Sequence, residues 1–336
     1  MTRFLLLCAL VAAHVPSSVV AAPSSTSVTV VRRWDATGHR AIAAIAYDRL
    51  RPATRARVDA ILRTHPDIAT LGDSLDINTA AGIREVFLRA SVWPDRIRSD
   101  ARFYRETDAN ATPTHLLPGF PTMARREGWH YLTRSFATDG TPTITLEEPN
   151  AASVFPSLAA TLGDDAVPPS VRAYHLSWII HIVGDLHQPL HGTSRSSASQ
   201  PNGDAGGNRV WVKLRGSDRD STNLHAIWDG WVGRSSGRLP INEVASGLAR
   251  ELPVASAPDD ALQIPAGAAL AATVRAWADE SATIARYFAY DLPVRGAGGP
   301  PELTEEYVAR GTRMARQRLA LSAYRLAAVI ESQLGE

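Results

Sequence analysis

HIVGDLHQPLH, residues 181–191, decides how this chain is read. It places three histidines and an aspartate directly after YHLSWII, residues 174–180, which is apolar on nearly every side. A titratable group inside an apolar helix is costly unless it is paired or bound to metal. Pro169 opens the segment and Pro189 closes it, so the spacing predicts a helix over 169–188. His181 and Asp185 stand four residues apart and share a face of that helix, and His191 can turn back toward its end. Imidazole and carboxylate together are a zinc ligand set. The plainer alternative for this stretch alone is a buried His–Asp hydrogen bond.

Working outward, His225 and Asp229 in NLHAIWDG repeat the same separation beside apolar residues. Two such pairs can face each other across a helix bundle, which is how bundles build carboxylate–histidine metal sites. Asp95 in VWPDRIR and His130 in GWHYL each sit beside tryptophan, and His39 stands at the start of the first helix. Taken singly, each reads as readily as a core or surface residue. Taken together they exceed what one zinc needs and point to a cluster.

The pass along the rest of the chain predicts a mainly α single domain. HRAIAAIAYDRL puts Ile42, Ile45, Ala46 and Leu50 on one stripe, and Pro52 opens a second helix. Further helices are predicted over 79–91, around NLHAIWDG, and over about 241–251, 267–288 and 303–333. WHYLTRSF reads as a short extended piece, 192–207 as a Gly/Ser/Asn loop, and NRVWVKLRG as a strand within a small β-hairpin. The 336 residues, 45% of them hydrophobic, can bury a sizeable core, and a net charge of +1 gives no general attraction to polyanions. Residues 1–22 have the form of an export signal, with Arg3 before a short apolar run and small residues near Ala22. The single cysteine, Cys8, lies inside that segment, so neither disulfides nor thiolate ligands are expected in the mature chain. Residues 23–33 read as a propeptide or linker, and 34–336 as one catalytic domain. A secreted or periplasmic location without a membrane anchor follows from this reading.

WDATGHR, VWPDRIR, WHYL, HIVGDLHQPLH, GGN and NLHAIWD occur in that order from Trp34 toward the C-terminus. In that ordered set the chain resembles the zinc-dependent single-strand-specific nucleases, the type I nucleases, within the phospholipase C/nuclease superfamily. The resemblance implies a helical phospholipase C/nuclease-like fold and three Zn²⁺ per chain. By resemblance Asp95, His130, His181 and Asp185 hold one zinc. Asp185 bridges to a second, held also by His39 and by the amine and carbonyl of Trp34. His191, His225 and Asp229 hold the third. Glutamate at the last position would fit the phospholipases, and Asp229 fits the nuclease branch. The resemblance further implies that Asp95 and Arg98 are catalytic, with Arg98 on the phosphate, and that Tyr131 stacks on a base. His187, Gly206, Gly207 and Asn208 match the motifs, which implies that they orient ligands or permit close backbone approach, a purely structural role being the alternative. Thr133 replaces an aspartate that many relatives carry near the base pocket.

The implied activity is hydrolysis of single-stranded DNA and RNA to 5′-phosphate products, with 3′-nucleotides as further substrates, by a monomer. The alternatives are a phospholipase C-like phosphoester hydrolase and an extracytoplasmic zinc-binding protein without catalysis. Because the family's amine ligand is a free N-terminus, the resemblance also predicts a second cleavage after Arg32-Arg33. The spans from Asp95 to His130 and from His191 to His225 are longer than usual for the family, which predicts added loops around the substrate groove.

Overall fold

A computed structural model of the chain describes residues 36–145, 148–215, 221–236, 239–265, 268–292 and 299–335. Trp34, the export signal and the propeptide expectations lie outside the described residues. The α-helices are α1 (Ala36–Arg49), α2 (Pro52–Leu62), α3 (Ile68–Leu71), α4 (Ala80–Ala90), α5 (Trp93–Ile97), α6 (Ala151–Gly163), α7 (Pro169–His187), α8 (Leu224–Asp229), α9 (Trp231–Ser236), α10 (Ile241–Glu251), α11 (Ala268–Ile284) and α12 (Glu305–Leu334). The strands β1 (Arg134–Ala137), β2 (Thr193–Ser196), β3 (Trp211–Leu214), β4 (Thr222–Asn223) and β5 (Glu302–Leu303) are short. The mainly α expectation holds.

Helix α7 is the axis of the molecule. Every residue from Arg172 to His187 is buried except His175, so the helix is apolar and enclosed on all sides rather than amphipathic. Helices α1, α2, α4, α5, α6, α11 and α12 all pack against it. Trp93, Trp178, Trp228 and Trp277 are among the largest fully buried side chains. Burying each contributes about 4–6 kcal/mol of transfer free energy, enough in sum to hold polar groups among them. Helix α1 packs against α7, α10 and α12, and the small side chains of Ala41, Ala43, Ala44 and Ala46, all fully buried, let it be enclosed on several sides.

The last turn of α7 leaves carbonyls without intrahelical partners. Neighbouring helices supply them. Ser281 of α11 donates to the carbonyl of Leu186 at 2.6 Å, and Arg318 Nε of α12 donates to that of His187 at 3.4 Å. Glu280 balances the buried Arg318 and Arg325, each at 2.7 Å. This cross-bracing fixes where α7 stops. It therefore fixes the direction in which Pro189–Gly192, a single 3₁₀ turn, carries His191.

Two departures from the sequence expectations concern the sheets. The stretch 192–207 contains β2, which pairs in parallel with β1 in the register Arg134↔Thr193. The expected hairpin is present as antiparallel β3 and β4, widened by β5, which adds in parallel on the other side of β3. Helix α6 has no counterpart in the expectations. It is opened by a capping box in which Asn150 accepts from the Ser153 amide while Ser153 Oγ accepts from that of Asn150. It continues through Pro156, the residue that hides it in the sequence.

Candidate metal centre

Eight of the nine expected ligands lie among the described residues, and the fold brings those eight together. Helix α7 supplies His181 and Asp185, α1 supplies His39, and α5 supplies Asp95. The 3₁₀ turn Glu127–His130 supplies His130, the turn after α7 supplies His191, and α8 supplies His225 and Asp229. Among the described residues, three groups have ligand atoms all within 4.8 Å of one another. They are His39/Asp95/His181, His130/His181/Asp185 and His191/His225/Asp229. The first two share His181 and so form one continuous cluster.

Asp185 joins that cluster to the third group. Its Oδ2 lies 3.0 Å from His181 Nε2 and 3.0 Å from His130 Nδ1. Its Oδ1 lies 3.3 Å from His39 Nε2 and 3.2 Å from His191 Nδ1. One carboxylate, 1% exposed, thus faces four imidazoles, two on each oxygen. The rings stack in two pairs, His39 on His181 at 4.1 Å and His191 on His225 at 5.0 Å. Burial alone would raise the Asp185 carboxyl, but His181, His191 and His130 hold it well below the usual carboxylate range. Burial likewise opposes charge on His191, yet Asp185 and Asp229 raise its proton affinity well above that of free imidazole. His130 is pushed down to about 4 by burial, against the pull of Asp185.

Three of the expected ligands are aimed by partners outside the cluster. His181 Nδ1 donates to the carbonyl of Ser91 at 2.7 Å, which turns Nε2 toward Asp185. His225 Nδ1 donates to the carbonyl of Gly206 at 2.8 Å, which frees Nε2 toward Asp229 Oδ2 at 3.4 Å. Gln188 Nε2 donates to Asp229 Oδ1 at 2.6 Å. Gly184 makes room for the His39 ring, because a Cβ there would stand 2.8 Å from His39 Nδ1.

The donors suit a divalent metal. Both ring nitrogens of His39 and of His191, His130 Nε2 and Asp229 Oδ2 are buried without a hydrogen-bond partner among the described residues. Unpaired buried groups of this kind are costly, and a cation bound by one nitrogen of a ring and by a carboxylate oxygen removes part of the cost. All the side-chain donors are imidazole nitrogen or carboxylate oxygen, a set that suits zinc.

Arg98 lies at the edge of the cluster. Its Nη1 donates to Tyr131 Oη at 3.2 Å and stands 3.9 Å from Asp95 Oδ1. Burial disfavours its charge, but Tyr131 and Asp95 keep the guanidinium protonated. Tyr131 meets His191 edge-on at 5.2 Å, so it borders the centre from the same side. Thr133 is half-buried immediately before β1.

Two residues that match motifs beside the ligands are placed differently. His187 is two positions past Asp185 and points to the opposite side of α7, as helical geometry requires. Its Nδ1 donates to the carbonyl of Val183 at 2.7 Å and its Nε2 accepts from Arg325 at 2.9 Å. It therefore belongs to the bracing of the helix end. Asn208 is exposed and closes the turn before it, donating to the carbonyl of Ala205 at 2.9 Å. Gln188 and the Ser91 carbonyl were not anticipated. A polar glutamine between His187 and Pro189 in a buried run was the available signal for the first, whereas a backbone acceptor leaves none.

Comparison with known proteins agrees with this geometry. Over 54 residues the chain is 44% identical to Nuclease S1 of Aspergillus oryzae, an alignment covering 16% of this chain and 15% of that one. Over 159 residues it is 28% identical to Endonuclease 4 of Arabidopsis thaliana, covering 46% of this chain and 48% of that one. The aligned stretches thus span less than half the length of either relative. Residues 34–335, which include all the residues of the centre, match the family described as S1/P1 Nuclease, and the chain belongs to that family.

Proposed function

We propose that this protein is an exported, zinc-dependent phosphodiesterase that hydrolyses single-stranded DNA and RNA to 5′-phosphate products and removes phosphate from 3′-nucleotides. The observation that carries the reading is Asp185, a buried carboxylate whose two oxygens each face two imidazoles. In this reading Asp95, His130, His181 and Asp185 hold one zinc. His39, Asp185 and the N-terminus of a chain trimmed to Trp34 hold a second. His191, His225 and Asp229 hold a third. Bound zinc lowers the proton affinity of water toward neutral and neutralises charge on phosphate oxygens.

The chain's own residues do the rest. Arg98, held by Tyr131, binds a non-bridging phosphate oxygen and meets the negative charge that grows there. Tyr131 offers a ring face on which a base can rest, and stacking of this kind tolerates any base. A base already unstacked reaches such a surface more cheaply than a paired one, which costs a few kcal/mol to extrude. Single strands are therefore the preferred substrate.

The test is purified protein on single- and double-stranded DNA, with and without a chelator. Chelator-sensitive hydrolysis that favours the single strand supports the reading. Lecithin hydrolysis with no release from denatured DNA would replace it with a phospholipase. Zinc binding with neither activity would leave a storage protein.

A further inference from the structure

Between β2 and β3 the chain makes an unusual turn. Ala205, Gly206 and Gly207 have successive φ values of 53°, 62° and 80°. Gly206 and Gly207 adopt this left-handed region freely, whereas Ala205 has a Cβ that opposes it and must be held there. Gly206 has no substitute, since a Cβ would lie 2.4 Å from the carbonyl oxygen of Leu190. This turn has one outlet into the metal centre. The carbonyl of Gly206 accepts from His225 Nδ1 at 2.8 Å, and so sets that ring's tautomer and direction. The carbonyl of Gly207 accepts from the His225 amide at 3.4 Å.

The group that holds the turn is Asp204, which is fully buried. Its Oδ1 accepts from the amides of Gly207 at 3.2 Å and Arg195 at 3.0 Å, from Tyr290 Oη at 2.9 Å and from Ser194 Oγ at 3.4 Å. Its backbone amide donates to the Arg195 carbonyl at 3.0 Å, and its carbonyl accepts from the Arg209 amide at 3.0 Å. Among the described residues its Oδ2 has no hydrogen-bond partner, and Arg195 Nε stands 3.8 Å away. Tyr290 directly follows a π-turn, Ala285–Ala289, that ends α11. A fully buried carboxylate with its charge only loosely met is expensive for a loop that needs only to be closed. The geometry accounts for it as an anchor that ties the turn to β2 and to the end of α11.

We propose that Asp204 is a positioning residue for the His191/His225/Asp229 metal site, holding the left-handed turn whose Gly206 carbonyl aims His225. The inference rests on the metal-centre reading above and concerns one of its sites. Asp204 touches neither metal nor substrate. It acts through Gly207, Gly206 and then His225.

The experiment is titration of the zinc-loaded protein with a chromophoric chelator, reading equivalents released, beside thermal unfolding of the fully chelated protein. Asp204→Asn should release one equivalent at a chelator concentration lower by about 10- to 100-fold, with the other equivalents unchanged. Tyr290→Phe, which removes one donor and keeps the ring, should move the same equivalent by a smaller factor. Ala205→Gly lowers the backbone cost of the turn, so Asp204→Asn/Ala205→Gly should recover part of the lost affinity. The chelated Asp204→Asn protein should unfold within a few degrees of the unaltered chain. Release of all equivalents together, in step with lower stability of the chelated form, would reduce Asp204 to a structural residue and overturn the proposal. So would unchanged release in both single variants. If the unaltered protein binds no zinc, the metal reading itself fails, and that result is distinct from either.

Discussion

Asp185 Oδ2 lies 3.0 Å from His181 Nε2, one helical turn apart on the same face of α7. That contact would be an ordinary buried pair if it were isolated. It is not isolated, because His130 reaches the same oxygen and His39 and His191 reach the other. A buried carboxylate needs one cationic partner, and the surplus of imidazoles is what distinguishes a metal site from a satisfied core.

Asp185→Asn keeps the shape and removes the charge. In the proposed centre its two oxygens face four of the ligands directly, His39, His130, His181 and His191. The expected result is a fall in bound zinc and a loss of hydrolysis of at least about 10³-fold. Zinc analysis and single-stranded DNA hydrolysis on one preparation check both. Full zinc content with near-normal turnover would remove Asp185 from the centre.

Arg98→Ala should behave differently, since Arg98 is not placed as a ligand. Zinc content should stay as in the unaltered chain while kcat/KM falls by roughly 10²-fold. Tyr131→Phe removes the hydroxyl that Arg98 Nη1 donates to and keeps the ring, so it should cost less than Arg98→Ala. Equal effects on long strands and on 3′-nucleotides would place Arg98 on the phosphate. An effect confined to long strands would place it on a flanking nucleotide.

Gly184→Ala tests how closely α1 and α7 must approach. The new methyl would stand 2.8 Å from His39 Nδ1 and 2.9 Å from its Cε1, so the ring must shift. A cost of about 1–3 kcal/mol in stability is expected from overpacking. Zinc should be lost preferentially from the site that includes His39. Unfolding midpoints and zinc content together decide, and an unaltered zinc content would mean that the ring has room to give.

The central helix and its ligands were legible in the sequence because one local pattern carries both. His181 and Asp185 share a face by spacing alone, and prolines 169 and 189 mark the ends. Asp95, His130 and His39 come from separate elements, and only the ordered motifs tied them to α7. What sequence could not show were partners that act through the backbone or over long separations. Ser91 offers a carbonyl to His181 ninety positions away. Asp204 is tied to Tyr290 eighty-six positions on. His187 shows the same limit. It stands in the motif, but its position on the helix turns it toward Arg325. The parallel pairing of β1 with β2 escaped because each strand is four residues long and flanked by loop-like sequence.

Acid should weaken the fold through His65. Its ring is buried and is pushed down to about 3, with Nδ1 accepting from the Asp67 amide at 3.0 Å. The folded value lies below the unfolded 6.5, so folding favours the neutral ring. That contribution is fully present above pH 6.5, begins to be lost below it, and continues to fall toward about pH 3. His65→Gln keeps an acceptor for the Asp67 amide without a basic nitrogen. Between pH 7 and 4, the chelated variant should lose less of its unfolding midpoint than the chelated parent chain. Parallel losses would show that His65 does not set the acid limb. Asp67 also accepts from Trp93 Nε1 at 2.9 Å, which links it to the helix that carries Asp95.

The His39 site makes the most specific demand on the mature chain. Both ring nitrogens of His39 are buried without a hydrogen-bond partner among the described residues, and Asp185 Oδ1 lies 3.3 Å from Nε2. One imidazole and one shared carboxylate make a weak site for zinc, which takes four ligands in most sites. Trp34 precedes His39 by five positions, and a free amine and carbonyl there would complete the set. An internal peptide nitrogen holds its proton and is a poor ligand, so an untrimmed chain should bind that zinc weakly. N-terminal sequencing of active, fully zinc-loaded protein should therefore begin at Trp34. Protein of equal activity and zinc content that begins near Pro23 would show that the site is completed in another way.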